Sequence, residues 1–371
     1  MHTSKNTTNP TPVGGHLHWR IYITLVICLA ACGAGDKPSG QDTEEVKEQE
    51  YKLNAVLEGE RPAERRFVDI AINRTVNLPA SEDAMLFNPA ALWYLDDGNI
   101  YVWDSGDFRI KAFSVDGEFL GAFGDGRGEG PGQFHVARGL TLQQDSVVLL
   151  DPMIGRSSYF ARDGSLGKTV QHESQFTNVA RSRSGTVYKM NVAPGAPDPA
   201  PYVRMERDGE RRQIDNLLDR EVSTIVFDGA LHATPDRGIY VPLYYPALLA
   251  FAPHDSIPRA YPSPDYGSVP LPEPQTSGEG FSQVTGPPEL RVHWGSQVSG
   301  ETLAVQIRPQ EQGSSLFDIY DVASLTYQHT ARIPSPARGG SLLAYDEGLL
   351  ISRGDTTVVL HHLALDTQQN R

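Results

Sequence analysis

The chain has 371 residues and carries 46 acidic against 32 basic side chains, a formal charge of −14. A surface that acidic repels nucleic acid phosphates, and no basic stripe interrupts it, which excludes nucleic acid as a partner. Its two cysteines, Cys28 and Cys32, both lie near the N-terminus, so the rest of the chain must hold itself by packing without a disulfide.

The first readable element is Ile21 to Ala31, an apolar run of 11 residues. That is signal-peptide length and well short of the roughly 20 residues a membrane-spanning helix needs. Lys5, His16, His18 and Arg20 precede it as a weakly basic region. The run closes on Leu29-Ala30-Ala31-Cys32, which resembles the bacterial lipobox. The resemblance implies that residues 1–31 are a lipoprotein signal peptide and that the Cys32 thiol receives a diacylglyceryl group before becoming the mature N-terminus. An ordinary secretory peptide cleaved near Ala31 is the plainer alternative. Two or three acyl chains hold a protein on a membrane almost permanently, whereas one does not. The expected location is thus the bacterial cell envelope, with the membrane as a partner through Cys32. Gly33 and Ala34 follow the cysteine with no aspartate directly after it, which favours the outer membrane in families with that sorting rule. Loss of Lys5 and Arg20 with the signal peptide moves the formal charge from −14 to −16.

Residues 32–60 are rich in Gly, Asp, Glu, Lys and Gln and poor in large apolar side chains, so they cannot offset their own ordering entropy and read as a flexible tether. From Arg61 to Arg371 the chain is dense in Gly, Pro, Tyr and short Val/Ile/Leu runs with hardly any helical periodicity, which predicts many short strands joined by turns. Phe67 to Leu78 is the first of these, with Val68, Ile70 and Ile72 alternating against polar neighbours.

An internal repeat follows. Phe87 and Phe134, Asp104 and Asp151, Arg109 and Arg156, Phe113 and Phe160, and the pairs Asp116-Gly117 and Asp163-Gly164 all share one offset of 47 residues. Within one unit the predicted strands are Pro89–Leu95, Asn99–Trp103, Arg109–Ser114 and Glu118–Phe123, with Asp97-Gly98 and Asp116-Gly117 as tight turns. A four-stranded meander per repeat is the blade of a β-propeller. The stretch Phe87-Asn88-Pro89, Asp97 to Gly106, Arg109 to Phe113 and Asp116 to Phe119 resembles an NHL repeat, and Phe123 to Phe134 is similar to that family's link between blades. The match covers roughly residues 87–164.

Weaker echoes continue the series. Gly185 to Tyr188 with Tyr202 to Glu206 suggests a third blade, Gly238 to Val241 with Ala247 to Phe251 a fourth, and Glu301 to Ile307 with Leu316 to Tyr320 a fifth. Leu342 to Tyr345, Leu349 to Ser352 and Thr357 to His362 give three strands of a sixth, which lacks its outer strand. Pairing residues 67–78 with that blade would close the ring and remove exposed edges. The expected fold is all-β: a six-bladed β-propeller of four-stranded antiparallel blades closed by the N-terminal strand, with seven blades as the rival count. Residues 263–288 interrupt the series with prolines, glycines and serines, either as a surface insertion or as a lid over one mouth of the channel.

The glycine cluster Gly124 to Gly132 lacks the spacing and the following helix of a phosphate loop. Asp104, Arg109, Asp151 and Arg156 recur at the same place in each unit, so they are expected to brace the turn between second and third strands through charge-assisted hydrogen bonds. Function is better sought on the axis, where the first strands of all blades converge. Aligning the units puts Asn88, His135, Arg138, Asn178, Arg181 and His293 in or next to those strands, and two arginines at the mouth of an acidic protein would make a local anion site. Six-bladed propellers of related families include lactonases and lyases with a divalent metal on the axis. Here Asn88, Asn178 and His135 could contribute ligands, but no carboxylate is placed beside them. A module that binds a small anionic ligand or an envelope protein is therefore favoured over a metal-dependent lactonase- or lyase-like enzyme, with no cofactor, metal or catalytic residue expected.

Overall fold

The computed structural model describes residues 55–365, apart from 60, 63, 79–83, 96, 144, 173–175, 183, 192–201, 216, 218–228, 266–274, 277–281, 284–291, 308–312, 335–341, 347 and 354–355. The apolar run, Cys32 and most of residues 32–60 and 263–288 lie outside the described residues. Every regular element described is a β-strand, and among the described residues no helix is long and apolar enough to cross a membrane.

Two strands, β1 (Val56–Leu57) and β2 (Phe67–Leu78), precede the repeated meanders. Unit 1 is β3 (Pro89–Tyr94), β4 (Asn99–Asp104), β5 (Arg109–Ser114) and β6 (Phe119–Phe123), paired antiparallel in chain order. Unit 2 repeats it with β7 (Gly139–Gln143), β8 (Ser146–Asp151), β9 (Arg156–Ala161) and β10 (Leu166–Gln171). Unit 3 is β11 (Asn178–Arg181), β12 (Val187–Asn191), β13 (Tyr202–Arg207) and β14 (Glu210–Ile214). Unit 4 is β15 (Gly229–Ala233), β16 (Gly238–Pro242), β17 (Ala247–Phe251) and β18 (Arg259–Pro262). On the outer edge of β18, β1 adds a short parallel strand, so residues at the end of the stretch read as tether are part of this sheet. A hairpin of β19 (Gln275–Thr276) and β20 (Ser282–Gln283) lies within the 263–288 stretch.

The remaining strands form one continuous sheet of eight rather than two separate blades. It contains β21 (His293–Ser299), β22 (Thr302–Ile307), β23 (Ser314–Asp321) and β24 (Tyr327–Pro334), then β2, then β27 (Val358–Leu365), β26 (Leu349–Arg353) and β25 (Leu342–Asp346). The join is β2. Phe67 to Asp69 pair parallel with β24, and Ile70 to Leu78 pair antiparallel with β27, so the N-terminal strand does lie against the last C-terminal strand. The arrangement is all-β and propeller-like. The first strands of successive units lie side by side, β7 by β11, β11 by β15, β15 by β21, β21 by β25, and β25 by β3.

Strands between two neighbours carry apolar residues on both faces. In β4, Ile100 and Val102 join a core with Leu349, Ile351, Val358 and Leu360, while Tyr101 and Trp103 face unit 2. Glycine is required where the link meets unit 2. Gly124, at φ +102°, lies so close to the Phe134 ring that a Cβ would overlap it. Its lack of a side chain lets Phe134 pack edge-on to Trp103 and Phe160.

Candidate functional site

Buried aspartates set the approach to the first strands. Asp104, fully buried, accepts backbone N–H bonds from Phe87 at 2.8 Å, Asn88 at 2.7 Å and Gly106 at 3.0 Å. These bonds and the Lys111 ammonium at 2.7 Å outweigh burial and lower its carboxyl pKa. In unit 2, Asp151 accepts from His135 at 2.6 Å, Val136 at 3.3 Å and Met153 at 2.9 Å. The repeated aspartates thus hold the approach to the first strands by backbone N–H bonds, and their partners are not the repeated arginines. Arg109 is exposed and Lys111 takes the place at Asp104. The Arg156 guanidinium instead donates to the carbonyls of Glu129, Gly130 and Gln133, clamping the glycine-rich link, because the side chain points back across that loop rather than into the turn.

The first strands enclose a cavity of about 780 Å³, lined from β3, β7, β11, β15 and β21. Arg138, just before β7, and Asn178 and Arg181 on β11 share its wall. Asn178 is 7% exposed and its Nδ2 has no hydrogen-bond partner, and the buried Arg181 Nε also has none. Among the described residues neither Arg138 nor Arg181 meets a carboxylate. Elsewhere several polar groups of the wall pair with one another. At the far end Asp97 is held by the Arg162 guanidinium and by the Tyr101 hydroxyl at 2.8 Å; burial, then Asp97, pushes that phenol up to about 12. His232 on β15 lies 2.7 Å through Nε2 from Ser296 Oγ on β21, and burial pushes its imidazole down to about 4, so it is neutral. Gln297 donates to the Tyr94 carbonyl at 2.7 Å, tying β21 to β3.

Three of the six axial candidates therefore share one cavity, and three do not line it. Asn88 donates to Ser105 Oγ at 2.8 Å on an exposed turn. His135 is held by its backbone to Asp151, with Nε2 4.0 Å from Glu129. His293 is buried with Nδ1 2.6 Å from the Pro242 carbonyl, and burial lowers its pKa; β21 has a register irregularity between His293 and Gly295. Asn88 and His135 belong to the segments that Asp104 and Asp151 hold by their backbone, ahead of the part of each strand that lines the cavity. Sequence reading missed His232, Ser296 and Gln297, although a polar pair within β21 next to a glycine was a usable signal. Among the described residues no group of three or more His, Cys, Asp or Glu side chains is placed to hold a metal ion.

No family model and no curated protein matches the chain. Among solved structures, it is similar to a protein of Bacteroides fragilis NCTC 9343 described as exported, at 10% identity and a TM-score of 0.52, over 81% of this chain and 100% of that one. It is similar also to a member of the DUF4221 family from Bacteroides vulgatus, at 9% identity and a TM-score of 0.51, over 81% and 99%. A virginiamycin B lyase from Staphylococcus aureus matches at 11% identity and a TM-score of 0.47, over 78% and 99%. At these identities the likeness is one of fold alone.

Proposed function

We propose that the chain is a ligand-binding propeller of the bacterial envelope, anchored through lipid on Cys32, whose axial cavity takes a small anionic molecule at Arg138, Asn178 and Arg181. The observation that carries this is a set of donors without acceptors. Asn178 Nδ2 and Arg181 Nε are buried and unpaired on one wall, beside Arg138, which meets no carboxylate among the described residues. A buried donor left unsatisfied costs about 1–3 kcal/mol, so the wall is complementary to something that supplies oxygen acceptors. A small molecule suits it better than a partner's acidic segment because Asn178 lies deep in the cavity wall. In this reading the eight-stranded sheet counts as two blades sharing β2, giving six units around the axis. The outer membrane is the proposed address.

A thermal-shift screen of acidic metabolites and divalent ions, with metal analysis of protein purified without chelator, tests the reading. Stabilisation by an acidic metabolite that disappears in Arg138→Ala supports it. A stoichiometric divalent metal, with lactone hydrolysis lost on chelation, would replace it with the metal-dependent enzyme. Metabolic labelling with an alkynyl fatty acid should mark the protein and fail to mark Cys32→Ala; a label that survives the substitution removes the lipid anchor.

A further inference from the structure

Apolar clusters join most neighbouring units. One runs between units 1 and 2, one between 3 and 4, one between 4 and the β21–β24 strands, and two more involve β2, β26 and β27. Among the described residues none bridges units 2 and 3. In its place is a cavity of about 260 Å³ that shares Gly139, Thr141, Val179 and Arg181 with the axial cavity.

The strand faces that turn toward this cavity are polar where the opposite faces are apolar. In β12, Tyr188 and Met190 enter the core with unit 4 while Lys189 faces the cavity; in β13, Val203 and Met205 face unit 4 while Arg204 and Glu206 face the cavity. From unit 2, Ser157 lines it where the repeat gives Ile110 in unit 1. Lys189, 7% exposed, contacts Glu206 at 2.6 Å, and Arg211 Nε lies 3.6 Å from the same carboxylate. Arg204 donates to the neutral Gln213 at 3.0 and 2.9 Å and meets no carboxylate among the described residues. The Phe176 ring lies under both, 5.2 Å from Lys189 Nζ and 5.6 Å from the Arg204 guanidinium carbon. Four cations and one carboxylate therefore line this cavity in a protein of charge −14. On the opposite wall Ser157 Oγ lies 2.8 Å from His172 Nε2, an additional hydroxyl–imidazole pair for an oxygen-rich guest.

The geometry points to a second binding site between units 2 and 3, for a doubly charged small oxyanion, a phosphate ester or a dicarboxylate, held by Arg204, Arg211, Lys189 and Arg181. A dianion would supply acceptors to the Arg204 guanidinium and to the unpaired Arg181 Nε. Arg204 offers a planar fork suited to bidentate oxygen recognition. The Phe176 ring supplies an apolar floor for the rest of the guest. The site is distinct from the axial one in every cation except Arg181.

The test is titration of the full-length protein with inorganic phosphate and with succinate, against sodium chloride at matched ionic strength, followed by melting temperature. At least one dianion should raise the melting temperature beyond the chloride control; which one does so distinguishes the phosphate ester from the dicarboxylate. Arg204→Gln and Arg211→Gln, both at the solvent side of the pocket, should each weaken the apparent affinity about tenfold, a change worth about 1.4 kcal/mol. Arg138→Gln, which removes an axial cation, tells the two sites apart: the rise that depends on Arg204 and Arg211 should survive it. No dianion-specific rise overturns the proposal, and so does a rise indifferent to Arg204→Gln and Arg211→Gln. A rise lost only in Arg138→Gln would also overturn it, assigning the anion to the axial site and leaving that reading intact.

Discussion

The interface between units 1 and 2 and the interface between units 2 and 3 use the same strands of unit 2 from opposite sides, and they are built from opposite materials. Toward unit 1, Val147, Leu149 and Phe160 meet Tyr101, Trp103, Ile110 and Phe123, with edge-on ring contacts at 5.8–6.0 Å among Trp103, Phe134, Phe160 and Phe123. Toward unit 3, Val148, Leu150, Ser157 and Tyr159 face Lys189, Arg204 and Glu206 across a cavity. Period-two alternation lets one strand serve both. The first interface is made for stability; the second gives stability up in favour of a charged recess, the pattern expected where a site replaces a core.

The largest effect expected concerns closure. Because β2 joins β24 to β27, deletion through residue 80 exposes two strand edges at once and should give an aggregating product by size-exclusion chromatography. A monomeric product with an unchanged melting temperature would show that the apolar interfaces hold without it. Next, Phe160→Ala should cost about 3–5 kcal/mol in denaturant unfolding, because it empties an aromatic cluster. Arg204→Ala, across the polar interface, should cost under about 1 kcal/mol. Similar losses at the two sites would erase the distinction.

The ion pair tests it from the other direction. Lys189→Met takes the nearer cation from the Glu206 carboxylate, which keeps Arg211 Nε at 3.6 Å and, at 21% side-chain exposure, regains some water. The loss should be about 2 kcal/mol, below the 3–5 kcal/mol of a fully buried pair. Adding Glu206→Leu should recover that loss or exceed it, since replacing a buried pair by apolar groups is often neutral or stabilising by about 1–4 kcal/mol. A double variant as unstable as the single one would mean that the pair holds the interface rather than the guest.

The strand positions were legible because alternation and the 47-residue offset report local geometry: β5 and β2 occur at the predicted bounds, and β4 within one residue. The merging of the last units into one sheet was not legible, since β2 changes partner at Ile70 and nothing in its pattern marks the switch. Half of the axial set was legible for the same local reason. Arg138 lies next to β7, and Asn178 and Arg181 lie within β11, whereas the direction of His293 depends on a register irregularity. The recess between units 2 and 3 was written in Val203-Arg204-Met205-Glu206, an alternation that suits a solvent-facing strand. Only the placement of unit 2 against it turns those charges inward.

The smallest effect concerns His172, the titrating group of the polar interface. Burial, then the neighbouring Lys189 charge, holds its pKa below the ordinary 6.5, while Glu206 opposes the shift. The unfolded chain therefore takes up a proton near pH 6.5 that the folded protein refuses until lower pH. Stability from this group is complete above about pH 6.5 and falls as the pH drops toward the folded value, by at most about 1.4 kcal/mol per pH unit. His232, His293 and His361, all lowered by burial, act with the same sign elsewhere in the molecule. In His172→Gln the decline in melting temperature from about pH 7 to about pH 5 should be shallower by up to one proton's worth. Sulfate, whose charge is constant over that range, should flatten the wild-type curve by favouring the protonated ring if it occupies the recess. Unchanged slopes in both experiments would place His172 outside the electrostatics of the interface and leave it its contacts with Ser157 and the Phe176 ring.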